Sequence, residues 1–228
     1  MIKLLSFADL ISISNAVFGA LAIIVLFTDI DLKIHISFSF ILLGLLADGL
    51  DGIIARRIRK SDIGEYLEAM ADMANMVIAP AVFIYFIYFS SDVISTDIFR
   101  QSYIFIALIL FLFFGIVRLA SFSIMKEKKS YVGLPSPASA IILLILAYFE
   151  VEFIFILPAV IIVGALMASN IIFAKPNALI NAAALILIIL SIVFGKTYFG
   201  FAPFLLFVAI LVYVIGGPIY KKFLEKNS

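Results

Sequence analysis

The sequence predicts an all-α polytopic membrane bundle of about eight transmembrane helices, with both termini in the cytoplasm. Three observations carry that reading. Of the 228 residues, 65% are hydrophobic and 14% charged, at a mean hydropathy of +1.26, whereas soluble domains sit nearer half apolar and a quarter charged. Hydropathy breaks at charged or turn-rich points into stretches close to the roughly 20 residues that a bilayer-spanning helix needs. The loops between those stretches then alternate in charge.

The apolar stretches fall near 8–28, 36–56, 64–89, 101–125, 136–149, 153–174, 177–195 and 199–220. The fifth is short for a full crossing, so seven spans, or six with re-entrant pieces, are the alternatives. One set of loops and ends holds Lys3, then Arg56, Arg57, Arg59 and Lys60, then Lys126, Lys128 and Lys129, then Lys175, and finally Lys221, Lys222 and Lys226. The other set holds Lys33, Arg100 and Lys196, beside the acids Asp29, Asp31, Asp92, Asp97, Glu150 and Glu152. Cytoplasmic loops carry the excess of Lys and Arg, which places both termini and the basic loops inside. A missed helix would scramble the alternation, so span count and charge asymmetry support each other. Without an internal repeat or low-complexity linker, residues 1–228 read as a single membrane domain.

Composition excludes several function classes. A net charge of +1 leaves no basic surplus for gripping nucleic acid, and zero cysteines remove disulfides, thiolate metal sites and a thiol nucleophile. The single histidine, His35, lies in a polar stretch from Thr28 and reads as a solvated loop residue. Met1-Ile2-Lys3, followed by Asp9, lacks the features of a signal peptide and is expected to begin the mature chain.

The chemistry concentrates in the second and third helices, about 36–89. Asp48 and Asp51 are three residues apart and Glu68 and Asp72 four apart, so each pair shares a helical face. The connection from Arg57 to Ile63 is short, which makes the two helices antiparallel neighbours. Asp48 precedes Arg56 by 8 residues and Asp72 follows Gly64 by 8, placing both acids about 12 Å below the cytoplasmic helix ends at the helical rise. A charge at the bilayer centre costs about 3 kcal/mol or more, and four gathered carboxylates repel one another unless cations neutralise them. Bound divalent metal resolves that conflict. All-oxygen ligands select hard cations, Mg²⁺ or Mn²⁺, with Ca²⁺ as an alternative, and two metals on shared carboxylates suit phosphoryl chemistry.

Gly49, Gly52 and Gly64 are expected where a ligand or another backbone comes close. Arg56, one turn beyond Gly52, can offer its donors to a phosphate. Together these residues describe a pocket for a metal-bound diphosphate that opens to the cytoplasm. The bland alternatives are that an acid pair is a solvated helix-end detail and that the Arg56 to Lys60 run only signals topology.

The pattern Asp48-x2-Asp51-Gly52-x2-Ala55-Arg56, seven residues, Gly64-x3-Glu68-x3-Asp72 resembles the signature of the CDP-alcohol phosphotransferases, D-x2-DG-x2-AR, eight or nine residues, G-x3-D-x3-D. Members transfer the phosphatidyl-type group of a CDP-linked lipid to a small alcohol and release CMP, using two divalent metals. The resemblance implies that Asp48, Asp51, Glu68 and Asp72 ligate metal, that Gly52 and Arg56, with Gly64, help hold the CDP diphosphate, and that Asp72 is the general base for the acceptor hydroxyl. Two departures stand out: Glu68 replaces the third Asp, moving its carboxylate by about 1.5 Å, and the spacer is one or two residues short.

Further segments resemble the serine-using branch. Ser12-Ile13-Ser14-Asn15-Ala16-Val17-Phe18-Gly19 resembles a T-x2-N-x3-G stretch, with Ser12 in place of the Thr, and the tract from Gly64 ends Ile78-Ala79-Pro80-Ala81. Arg118-Leu119-Ala120-Ser121-Phe122 matches R-L-A-x-F, and Gly133-Leu134-Pro135-Ser136-Pro137-Ala138 matches G-L-P-x-P-A. Together they cover about the first 140 residues and imply transfer to serine of a phosphatidyl or archaetidyl group, at the cell membrane, in a homodimer. Asn15 is a candidate nucleotide contact, with an interhelical bond as the alternative. Arg118, buried in a helix, needs an anion: a substrate phosphate, one of the four acids, or the serine carboxylate, which is the first choice. The last three helices carry no motif and read as scaffold or dimer surface. Phosphorylated acceptors such as inositol phosphate or glycerol phosphate want several cations near the site, so a neutral or zwitterionic acceptor, serine before choline, is preferred. A divalent-cation transporter is the rival of another class, opposed by the arginine beside the acids.

Overall fold

The computed structural model describes residues 5–54, 61–89, 97–121 and 130–226, with the side chains of 7, 8, 50–54 and 219–226 left aside. These residues form eight helical rods and one small sheet. The rods are α1 (Phe7–Leu26), α2 (Lys33–Ile54), α3 (Gly64–Phe89), α4 (Ile98–Ser121), α5 (Ser136–Tyr148), α6 (Phe153–Met167), α7 (Ala178–Phe194) and α8 (Thr197–Lys226). Four contain spans long and apolar enough to cross a membrane: Asp9–Leu26, Gly64–Phe89, Ile98–Ser121 and Thr197–Pro218. The apolar helices α5, α6 and α7 are shorter, at 13, 15 and 17 residues.

Local chemistry sets several boundaries. A capping box starts α1: the Ser6 N–H donates to Asp9 Oδ2 at 2.6 Å, and the Asp9 N–H donates to Ser6 Oγ at 3.4 Å. Asn177 caps α7, its Oδ1 accepting from the Ile180 N–H at 2.9 Å. Pro135 precedes α5, and Pro137 sits in its first turn, where the missing N–H is harmless. The helix expected over 153–174 instead stops at Met167. Ser169 turns the chain, donating to the Leu166 carbonyl at 2.8 Å and accepting from the Ile171 N–H at 3.3 Å. Residues Ile172–Ala174 then form β2, antiparallel to β1 (Ser130–Val132) with Tyr131 opposite Phe173. The all-helical expectation therefore needs one amendment, a two-stranded ribbon.

The core is built around α5. Eleven of its 13 residues are buried, as expected of a helix that is apolar on every side, and it touches α2, α3, α6 and α8. Phe38 of α2 stacks on Tyr148 at 4.0 Å between ring centroids. His35 corrects its reading as a solvated loop residue. Because α2 starts at Lys33, His35 falls in the first turn, half-buried, with Nδ1 2.9 Å from the Tyr148 hydroxyl. The outward faces of α4 and α8 expose Phe105, Ile109, Phe204 and Val212, the arrangement that a hydrocarbon solvent favours.

Loops distant in sequence gather at two ends. At one end Lys196 bonds Glu150 at 2.7 Å, Lys33 lies 5.2 Å from the Phe86 ring, and Arg100 lies 6.0 Å from the Phe153 ring. At the other, the ribbon joins the segment before α5 to the segment after α6.

Candidate active site

Helices α1, α2 and α3 pack together. Asp48 is half-buried on α2, and Glu68 and Asp72 are half-buried on α3. Asp51 lies on α2, three residues beyond Asp48; its side chain, the side chain of Gly52's neighbours and the whole of Arg56 lie outside the described residues. Gly64 is buried at the start of α3, its N–H donating to the Ser61 carbonyl at 3.1 Å. At Gly49 an added Cβ would meet only Leu185, at 3.5 Å, so packing within the protein does not itself require a glycine there.

Asn15, 1% exposed, donates from Nδ2 to Asp72 Oδ1 at 3.1 Å. The interhelical bond weighed for Asn15 thus exists, and its acceptor is the acid with the largest expected role. Asn15 Oδ1 is buried with no hydrogen bond from a described residue, leaving an acceptor for a ligand beside that carboxylate.

Immediately after Asp72, α3 widens into a π-helical turn, Met73–Ile78, before resuming as an α-helix at Ala79. Such turns cluster at functional sites because they re-aim the side chains on either side. Asn75, fully buried in this turn, donates to the Ile41 carbonyl of α2 at 3.1 Å. The neighbouring helices yield space to it: a Cβ at Gly19 of α1 would lie 2.8 Å from Asn75 Cα, and one at Gly44 of α2 would overlap its amide. On a third helix, Gly115 of α4 admits Val77. Gly19, the last residue of the N-x3-G segment, therefore has a packing reason. Sequence reasoning missed Asn75 and Gly44, although an asparagine within Met73–Ile78 was a visible signal.

Arg118, near the end of α4, is 6% exposed. Tyr131 of β1 and Asp72 are its electrostatic neighbours, so of the anions weighed for it the fold supplies one of the four acids. Among the described residues no three acids close into a ready metal cage. The donor chemistry nevertheless fits a hard divalent cation: Asp48, Glu68 and Asp72 offer carboxylate oxygen alone, with neither thiolate nor imidazole beside them.

A half-buried Asp72 and a buried Arg118 interact among apolar helices, four of which are long and apolar enough to cross a membrane, a setting that suits a membrane enzyme acting on a charged group. Residues 5–174 match the family model described as CDP-alcohol phosphatidyltransferase, and the chain belongs to that family. Its members use divalent metals. The chain is 31% identical over 195 residues to a CDP-diacylglycerol–serine O-phosphatidyltransferase of Methanocaldococcus jannaschii, covering 83% of this chain and 86% of that one. It is 32% identical over 137 residues to an archaetidylserine synthase of Methanothermobacter thermautotrophicus, 58% of this chain and 54% of that one. A Helicobacter pylori CDP-diacylglycerol–serine O-phosphatidyltransferase is 30% identical over 167 residues, 67% of each chain.

Proposed function

We propose that this CDP-alcohol phosphatidyltransferase uses L-serine as its acceptor, on the cytoplasmic side of the membrane. The observation that carries the proposal is the burial of the Arg118 guanidinium, 6% exposed, with Asp72 as an electrostatic neighbour. A buried guanidinium beside the acid that would take a hydroxyl proton suits an alcohol that also bears a carboxylate. The names of the relatives point the same way.

In this reading the lipid tails of the CDP-linked donor stay among the apolar helices, and its diphosphate reaches the acids. Asp48, Asp51, Glu68 and Asp72 would hold two divalent metals, which when bound neutralise the diphosphate charge. Gly52, Arg56 and Gly64 would help hold the diphosphate. Asn15 fixes the rotamer of Asp72, and Asp72 accepts the serine hydroxyl proton. The serine oxygen then forms a bond to the lipid-side phosphorus as the bridging P–O bond breaks, and the electron pair departs with CMP. Arg118 holds the serine carboxylate and so orients the hydroxyl.

Purified protein with CDP-lipid, Mn²⁺ and a panel of labelled alcohols tests this, with CMP release as the signal. Serine gives CMP and a serine-labelled lipid. Arg118→Ala raises the KM for serine at least tenfold, whereas an unchanged KM would remove Arg118 from acceptor binding. CMP release with glycerol phosphate or choline but not with serine refutes the acceptor assignment.

A further inference from the structure

One helical turn from Asp72, a second polar side chain is fitted between the same helices. Asn15 and Gly19 are four residues apart on α1, and Asp72 and Asn75 three apart on α3, so each pair shares a helical face. Asn15 meets Asp72, its Nδ2 donating to Oδ1 at 3.1 Å. Gly19 meets Asn75, where an added Cβ would lie 2.8 Å from the Asn75 Cα. From α2, a Cβ at Gly44 would overlap the Asn75 amide. Two contacts thus stack along the α1–α3 interface: an amide on a carboxylate and, one turn on, a glycine on an amide.

Packing alone does not call for an asparagine at this place. Asn75 is 0% exposed, and a buried amide is costly unless both of its ends are bonded. Its Nδ2 donates to the Ile41 carbonyl of α2 at 3.1 Å, while Oδ1 has no hydrogen bond from a described residue. A leucine would fill a similar volume without that deficit, and alanine at positions 19 and 44 would favour the helix more than glycine does. What asparagine supplies is a directional tie to a backbone atom. A side-chain acceptor can change rotamer, whereas the Ile41 carbonyl is fixed by its own helix, so the bond sets how far α3 is advanced along α2. The tie falls inside the π-helical turn Met73–Ile78, which begins at the residue after Asp72. Fixing Asn75 therefore fixes the backbone from which Asp72 projects.

We propose that Asn75 is a positioning residue for the transfer reaction: its bond to Ile41, in the niche left by Gly19 and Gly44, holds the π-helical turn so that Asp72 meets Asn15 and is aimed at the acceptor hydroxyl. The inference rests on the reading of Asp72 as the proton acceptor. Asn75 acts through that carboxylate and not on a substrate, so its effect falls on turnover and not on acceptor affinity.

The test follows CMP release from CDP-lipid with Mn²⁺ and either L-serine or glycerol 3-phosphate, beside the thermal midpoint of the full-length protein. The acceptor that the wild type uses serves for every variant, so failure of the serine assignment does not touch the outcome. Asn75→Leu is expected to keep or raise the midpoint while lowering kcat about tenfold, with the acceptor KM changing less than about twofold. A residue that only packs would not separate midpoint from kcat in this way. In Asn75→Ala with Gly44→Ala, a methyl takes up space vacated by the amide, and the midpoint recovers relative to Asn75→Ala while kcat does not. Because Asn15 and Asn75 act on one carboxylate, Asn15→Leu with Asn75→Leu should lose little more than Asn15→Leu alone. Wild-type kcat in Asn75→Leu, recovery of kcat in the alanine pair, or losses that multiply in the leucine pair overturn the proposal. Wild-type kcat in Asp72→Asn would sink the proton-acceptor reading and this inference together, whereas a slow Asp72→Asn beside an unimpaired Asn75→Leu sinks this inference alone.

Discussion

Asp72 is the residue on which the fold converges from two directions, with the Asn15 amide at 3.1 Å on one side and the Arg118 guanidinium as an electrostatic neighbour. A hydrogen bond to a charged group contributes roughly 1.5–3 kcal/mol, and here its chief effect is to hold a carboxylate in one rotamer. Asn15→Leu removes the donor and is expected to lower kcat for CMP release by about ten- to a hundredfold. Asn15→Asp should be worse, because it sets a second carboxylate against the first. Wild-type kcat in Asn15→Leu would reduce the bond to helix packing. Asp48, Asp51, Glu68, Asp72, Asn15 and Arg118 were legible in sequence because a polar residue in an apolar helix is costly and needs a reason. Lys175 was read only as a topology signal, since spacing cannot reveal that a loop folds back onto a tyrosine 44 positions earlier in the chain. Gly44 was silent for a related cause: its value lies in the Asn75 amide of another helix.

At the scale of elements, the π-helical turn Met73–Ile78 is the part that hydropathy could not reveal. A wider turn keeps the same apolar composition and changes only the phase between the two halves of α3. That phase matters because Asn75 locks the C-terminal half to α1 and α2, while Glu68 and Asp72 lie on the N-terminal half. Inserting one alanine after Ala74 lengthens the turn and rotates the acids by about 100° relative to the locked half. The insertion is expected to leave a helical protein by circular dichroism that releases CMP at least a hundredfold more slowly; near-normal activity would show that the turn does not set the acids' direction. The ribbon was equally hidden. Three-residue strands are too short to show a period of two, and Ile172–Ala174 closes an apolar stretch that reads as the end of a helix.

For the whole molecule, the decisive matter is which end of the bundle meets the cytoplasm. Contacts divide the loops into two groups: the segments around Lys33, Arg100, Glu150 and Lys196 at one end, and the β1–β2 ribbon at the other. The first group carries few basic residues beside many acids, and the second belongs with the basic loops; the orientation we propose on that asymmetry has the first group outward and the ribbon inward. That orientation matters for function because a water-soluble acceptor and departing CMP both use the aqueous face nearest Asp72. The chain contains no cysteine, so single thiols can be introduced without a background signal. Asp31 and Glu152, and Asp62 and Asn170, are exposed positions in the two sets of loops. In intact cells a membrane-impermeant maleimide should label Asp31→Cys and Glu152→Cys, and should label Asp62→Cys and Asn170→Cys only after permeabilisation. The opposite pattern would turn the active site outward and detach it from cytoplasmic serine. Labelling of Glu152→Cys and Asn170→Cys from the same side would mean that the 15-residue α6 does not cross, leaving a bundle with fewer than eight spans.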